Sequence, residues 1–125
     1  MGMKKPVVWI VDREHWPRAY LRAELIERGF DAVGFENIVG VLTALHLRLY
    51  ETPQAILIEL RDLPVEREGI CALIGFGVPT IALGGAVELN RQFVRETAWE
   101  AVMQRPFTIG MAADMAEKVL KRPQP

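Results

Sequence analysis

Five short runs rich in Val, Ile, Leu and Ala constrain this chain more than any other feature: PVVWIVD, AVGF, AILIEL, PTIAL and AVMQ. Most lack the apolar–polar alternation of a strand with one wet face, which predicts parallel strands covered on both faces. A segment of helical period follows each run. In WPRAYLRAELIERG, Pro17 stands where a first helical turn tolerates it, Leu21 and Leu25 lie one turn apart, and Gly29 supplies the stop. Asn37 is expected to cap the next helix, with Ile38, Leu42, Leu45 and Leu49 on its inward face and Pro53 barring its continuation. VEREGICALIGFG predicts a shorter third helix with Cys71 in the core. Residues 90–98 predict a polar fourth helix, and Thr108 caps a fifth that carries Ala112, Met115 and Val119. Right-handed crossovers turn that order into an α/β three-layer sandwich, an open parallel sheet with helices on both faces. Its chemistry belongs at the carboxyl ends of the strands.

At 125 residues, half of them hydrophobic and a quarter charged, the chain is sized for one compact domain with a real core. That domain is expected to span 1–122, with 123–125 a tail or the start of a linker. A net charge of -1 and scattered Lys and Arg provide no basic stripe, so no direct contact with nucleic acid is expected. The single cysteine excludes an internal disulfide framework, and with only His15 and His46 beside it no zinc cluster is expected. No apolar run approaches the ~20 residues of a spanning helix, and MGMKK does not lead into the unbroken apolar stretch of a signal peptide. A cytoplasmic location away from the membrane is the expectation.

At the carboxyl ends the chain reads Asp12-Arg13-Glu14 after the first strand and Glu59 closing the third. Gly84-Gly85 follows the fourth and Arg105-Pro106-Phe107 the fifth. In that order and on those elements, the motifs resemble the response-regulator receiver domain, from Lys5 to about Arg122. The resemblance implies a flavodoxin-like, CheY-like (βα)5 fold with a five-stranded parallel sheet in the order 2-1-3-4-5. Receivers carry an acidic pair after the first strand, a phosphoacceptor Asp ending the third, Thr or Ser ending the fourth, and Lys-Pro after the fifth. On that pattern Asp12 matches the first acid and Arg13 stands where the principal metal ligand belongs. Glu59 falls at the phosphoacceptor position, with Pro64 in the loop behind it. Gly84 takes the Thr/Ser position, Arg105 the Lys position and Val102 the place of the switch aromatic, and Arg105-Pro106 is a candidate cis peptide.

Moving a phosphoryl group onto a carboxylate requires its peripheral oxygens to be neutralised, by Mg²⁺, a lysine and a hydroxyl in the receiver family. Mg²⁺ takes oxygen ligands, and Arg13 offers none. Opposite unit charges ~4 Å apart attract by about 4 kcal/mol at an effective dielectric near 20, although desolvation cancels much of this. Arg13 is therefore expected to turn inward as a counter-ion of Asp12 or Glu59, and Arg105 to pair with one of the same carboxylates. The extra methylene of Glu59 moves its oxygen to where a phosphoryl oxygen would sit. Its role stays open between a structural ion-pair partner and a fixed imitation of phospho-aspartate. Gly84-Gly85 is expected to turn the strand into a loop using positive φ.

These readings describe a degenerate receiver, neither an enzyme nor a holder of metal or cofactor. The resemblance implies that it binds a signalling kinase, an effector domain or a second copy through the fourth helix, fifth strand and fifth helix. One alternative keeps the chemistry, with Glu59 or Asp62 as an atypical phosphoacceptor and Arg13 and Arg105 replacing metal and Lys. A flavodoxin-like cofactor binder is the other. It lacks both a GxGxxG and a Ser/Thr/Gly-rich loop in place of VDREHWP to hold a phosphate tail.

Overall fold

The computed structural model describes residues 4–121, so the expected tail at 123–125 lies outside the described residues. Five strands, β1 (Val7–Val11), β2 (Asp31–Phe35), β3 (Ala55–Glu59), β4 (Thr80–Gly84) and β5 (Ala101–Gln104), form one parallel sheet in the order β2-β1-β3-β4-β5. The central strands β1, β3 and β4 are buried at every position, as their unbroken apolar runs require. Alternation along them sorts two cores. Trp9, Val11, Ile56, Ile58 and Ala82 face one side, and Val8, Ile10, Leu57, Ile81 and Leu83 face the other. The first side is covered by α2 (Ile38–Leu47) and α3 (Arg67–Gly75), with α4 (Ala86–Leu89) and α5 (Gln92–Glu96) contributing Leu89 and Val94. The second is covered by α1 (His15–Glu27) and α6 (Ile109–Leu120), through Leu21, Leu25, Ala112, Ala113, Ala116 and Val119. The three-layer α/β sandwich expected from the sequence is the observed one.

The local signals act as expected at most helix ends. Asn37 Oδ1 accepts the Gly40 N–H, Thr108 Oγ1 accepts the Met111 N–H, and Gly29 takes φ +95 behind α1. Three expectations fail. The polar fourth helix is two short pieces, because Arg91 is extended between them and each piece has a single buried apolar anchor, Leu89 or Val94. In α2 the fully buried positions are Ile38, Val41 and Ala44; Leu42 and Leu45 only flank the core, and Leu49, beyond the helix, is exposed. Cys71 is exposed, since α3 turns Ile70 and Leu73 inward and leaves the next position outside. Among the described residues no helix is long and apolar enough to cross a membrane.

Candidate functional site at the carboxyl edge of the sheet

Past the last strand residues the ladder continues for one bond each, from Asp12 N to Phe35 O, Leu60 N to Leu83 O and Arg105 N to Gly84 O. These bonds fix where the side chains at the carboxyl edge start. Asp12 and Glu59, 5% and 4% exposed, lie in the same buried cluster. Each carboxylate bends back on its own loop: Asp12 Oδ1 accepts the Glu14 N–H at 2.9 Å, and Glu59 Oε2 accepts the Arg61 N–H at 3.0 Å. Arg105 Nη2 donates to Glu59 Oε1, and its guanidinium carbon lies 5.0 Å from the Phe107 ring centroid. Of the two carboxylates expected as partners of Arg105, Asp12 and Glu59, the pair is made with Glu59, and the Arg105-Pro106 bond is cis.

The second expected cation is a different residue. Arg13 turns away from the acids, and its Nη1 donates to the Asp62 main-chain oxygen at 3.0 Å, an exposed contact. Its place is taken by Arg61, whose Nη2 lies 3.5 Å from Asp12 Oδ1, Nε 3.1 Å from Glu14 Oε1 and Nη1 4.0 Å from Glu59 Oε1. The approach to Glu14 is an ion pair only, because Nε is buried with no hydrogen bond in line. The reason is the turn at each loop start: Asp12 holds the Glu14 N–H and Glu59 the Arg61 N–H, which brings Glu14 and Arg61 round to the acids while Arg13 reaches the Asp62 carbonyl. The Asp12-x-Glu14 and Glu59-x-Arg61 spacing at two strand ends is the sequence signal that brings these side chains near one another, while the fold decides which arginine reaches the acids.

Burial raises the Asp12 carboxyl above its usual range, opposed by the Glu14 N–H and by Arg61. Gly84 and Gly85 do not use positive φ: Gly85 is an extended N-cap residue, and a Cβ built on Gly84 would meet Glu88 Cβ and Leu89 Cγ at 3.5 Å, ordinary contact. The expected turn is made by the chain entering α4. Asp62 is exposed in the left-handed region at φ 54, which aspartate tolerates. Val102 is half exposed on edge strand β5. His15 packs edge-on against Trp16 and belongs to no group of three metal-ligating side chains among the described residues.

No family model matches the sequence, and a search of curated proteins returns no match. Solved structures do match. The Francisella response regulator 1452 receiver domain superposes with a TM-score of 0.78 at 16% identity, covering 94% of this chain and 98% of that one. A response regulator receiver protein from Pseudomonas putida gives 0.76 at 20% identity over 94% and 99%. A transiently phosphorylated switch in bacterial signal transduction gives 0.75 at 22% identity over 94% and 96%. This is a receiver fold. At such identities the likeness carries the architecture and leaves the chemistry to the residues present. The space between Asp12, Glu14 and Glu59 holds a guanidinium, and no group of three metal-ligating side chains is found among the described residues. The donor set does not fit a divalent ion, because the cation-binding oxygens already face Arg61.

Proposed function

We propose that this domain is a pseudo-receiver: a non-catalytic protein-interaction module of two-component-type signalling in the cytoplasm, working independently of phosphorylation. The observation that carries the reading is the engagement of Glu59. One of its oxygens is held by Arg105 and the other by the Arg61 N–H, with the Arg61 guanidinium interposed between the acids. An attacking carboxylate needs a free oxygen in line with phosphorus and a cation for the transferred charge, and here both partners are internal. Gly84 brings no hydroxyl and Val102 no aromatic ring, so the hydrogen bond and rotamer change by which receivers switch have no carrier. The partner surface is the face formed by α4, α5, β5 and α6. It offers Val87, 82% exposed, and Val102, 50% exposed, as apolar contacts for a second copy, a kinase or an effector domain.

Light scattering and intact mass, each with and without Mg²⁺, beryllofluoride and acetyl phosphate, test the proposal. The expected result is an unchanged mass and an oligomeric state indifferent to all three. Addition of a phosphoryl group would overturn it and favour the atypical phosphoacceptor. Glu59→Gln and Asp62→Asn would then tell which carboxylate had reacted.

A further inference from the structure

Of the described helices, only α2 contains no Asp, Glu, Lys or Arg. Ile38, Val41 and Ala44 are its buried side. Opposite them, at the spacing of helical turns, stand Val39, Thr43 and His46, all exposed, with Leu42 and Leu47 on the flanks. Val39 is 67% exposed and Leu47 59%, and Leu49 and Tyr50, just past the helix, are 58% and 54% exposed. A helix that is apolar on every side is normally covered on every side, and the sheet covers only one. No step of the proposed function uses this face. α2 packs against β2, whereas the partner surface described above lies about β5, the other edge of the sheet.

The charges at the two ends of the helix decide what covers it. Glu36 lies just before the N-cap Asn37 and Arg48 is the C-cap, six residues to either side of Leu42. Both are exposed, and neither side chain makes a hydrogen bond or an ion pair among the described residues. The next charge along the chain, Glu51, is already paired with Lys4. The face is therefore negative where it starts, positive where it stops and uncharged between. A second copy related by a two-fold axis at Leu42 and Thr43 lays the two helices antiparallel. Each Glu36 then stands beside the Arg48 of the other copy, Val39 meets His46, and the centre sets Leu42 and Thr43 against themselves without opposing like charges. The helix dipoles, antiparallel in the same arrangement, favour it too. Each end charge also suits the dipole of its own helix, which accounts for its sign but not for the uncharged apolar face between.

We infer that the outer face of α2 is a self-association surface, on which a second copy of this chain docks antiparallel about Leu42 and Thr43. Ten residues rising 1.5 Å each make a seam about 15 Å long. Such a seam falls short of the roughly 800 Å² per partner of a standard stable interface, so the pair is expected at micromolar and higher concentration, not at nanomolar. The inference goes beyond the pseudo-receiver reading, since neither phosphorylation nor the β5 face enters it.

The test is sedimentation equilibrium of the whole chain from micromolar to millimolar concentration, with charge reversals that cross over. The unsubstituted chain is expected to show a reversible monomer–dimer equilibrium. Glu36→Arg makes both ends of the face positive and Arg48→Glu makes both negative, so each alone should weaken self-association about ten-fold. An equimolar mixture of the two should associate as the unsubstituted chain does, because every positive end again meets a negative one. The chain carrying both reversals should do the same. Val39→Glu puts a charge into the seam and should leave monomer alone over that range, with the fold intact because the position is exposed. A chain that is monomeric throughout overturns the inference. So does a dimer indifferent to Val39→Glu, or a mixture that associates no better than its two components. Phosphoryl uptake at Glu59 would overturn the pseudo-receiver reading and leave the α2 pair standing, so the two fail separately.

Discussion

Asp12 and Arg105 stand at one site and bear on stability in opposite senses. Burial lifts the Asp12 carboxyl, so the folded protein keeps that proton to a higher pH than the unfolded chain does. Between the two values the folded state binds more protons, and stability falls as pH rises; above both, the full cost persists. Asp12→Asn, which keeps an acceptor for the Glu14 N–H, is therefore expected to raise the unfolding midpoint at neutral pH. The gain should vanish below the ordinary aspartate range, as followed by thermal unfolding across pH. Arg105→Ala does the reverse, leaving Glu59 buried with its closest cation gone. Breaking a buried pair from one side costs 3–5 kcal/mol, and because the Arg105 side chain is 32% exposed we expect about 2 kcal/mol by chemical denaturation. Arg13→Ala should stay within about 0.5 kcal/mol, since its contact lies in solvent. A lost midpoint in Arg13→Ala equal to that of Arg105→Ala would return the counter-ion role to Arg13.

At the level of elements, the caps and the stops were legible because each depends on a few neighbouring residues. Asn37 and Thr108 each accept an N–H three residues on, and replacing either by Ala is expected to cost about 1 kcal/mol in equilibrium unfolding. Glu14, Glu66 and Gly85, which make no side-chain cap bond, should show no comparable loss. Gly29→Ala strains a positive φ and destabilises. Gly84→Ala, in extended chain with room for a methyl group, should be neutral or stabilise by up to about 1 kcal/mol. The helices whose course the sequence did not reveal are those with the weakest anchoring. Between Ala86 and Glu96 only Leu89 and Val94 are buried, so local breaks at Asn90 and Arg91 outweigh the periodicity. In α2 nearly every position is apolar, so several faces fit a helical period, and packing into the core shared with Trp9, Ile56 and Ile58 chose Val41 and Ala44.

For the whole molecule, the pseudo-receiver reading predicts self-association or partner binding that ignores phosphorylating conditions and depends on the exposed apolar positions beside β5. Val102→Glu, alone or with Val87→Glu, is expected to shift any dimer towards monomer in light scattering while unfolding changes by no more than about 0.5 kcal/mol. Association insensitive to both substitutions would move the interface elsewhere. The sequence by itself determined the alternation of strand and helix, the double-sided burial of β1, β3 and β4, the caps of α2 and α6, and the pairing of Arg105 with one of the two carboxylates Asp12 and Glu59. All of these follow from short-range patterning, or from a charge that the strand order must bring to one edge. Only the tertiary structure decided which arginine stands among the acids. That choice rests on the turns at two loop starts and on the reach of a long side chain between β1 and β3, where Arg61 lies within 4.0 Å of three carboxylates and Arg13 reaches the Asp62 carbonyl instead.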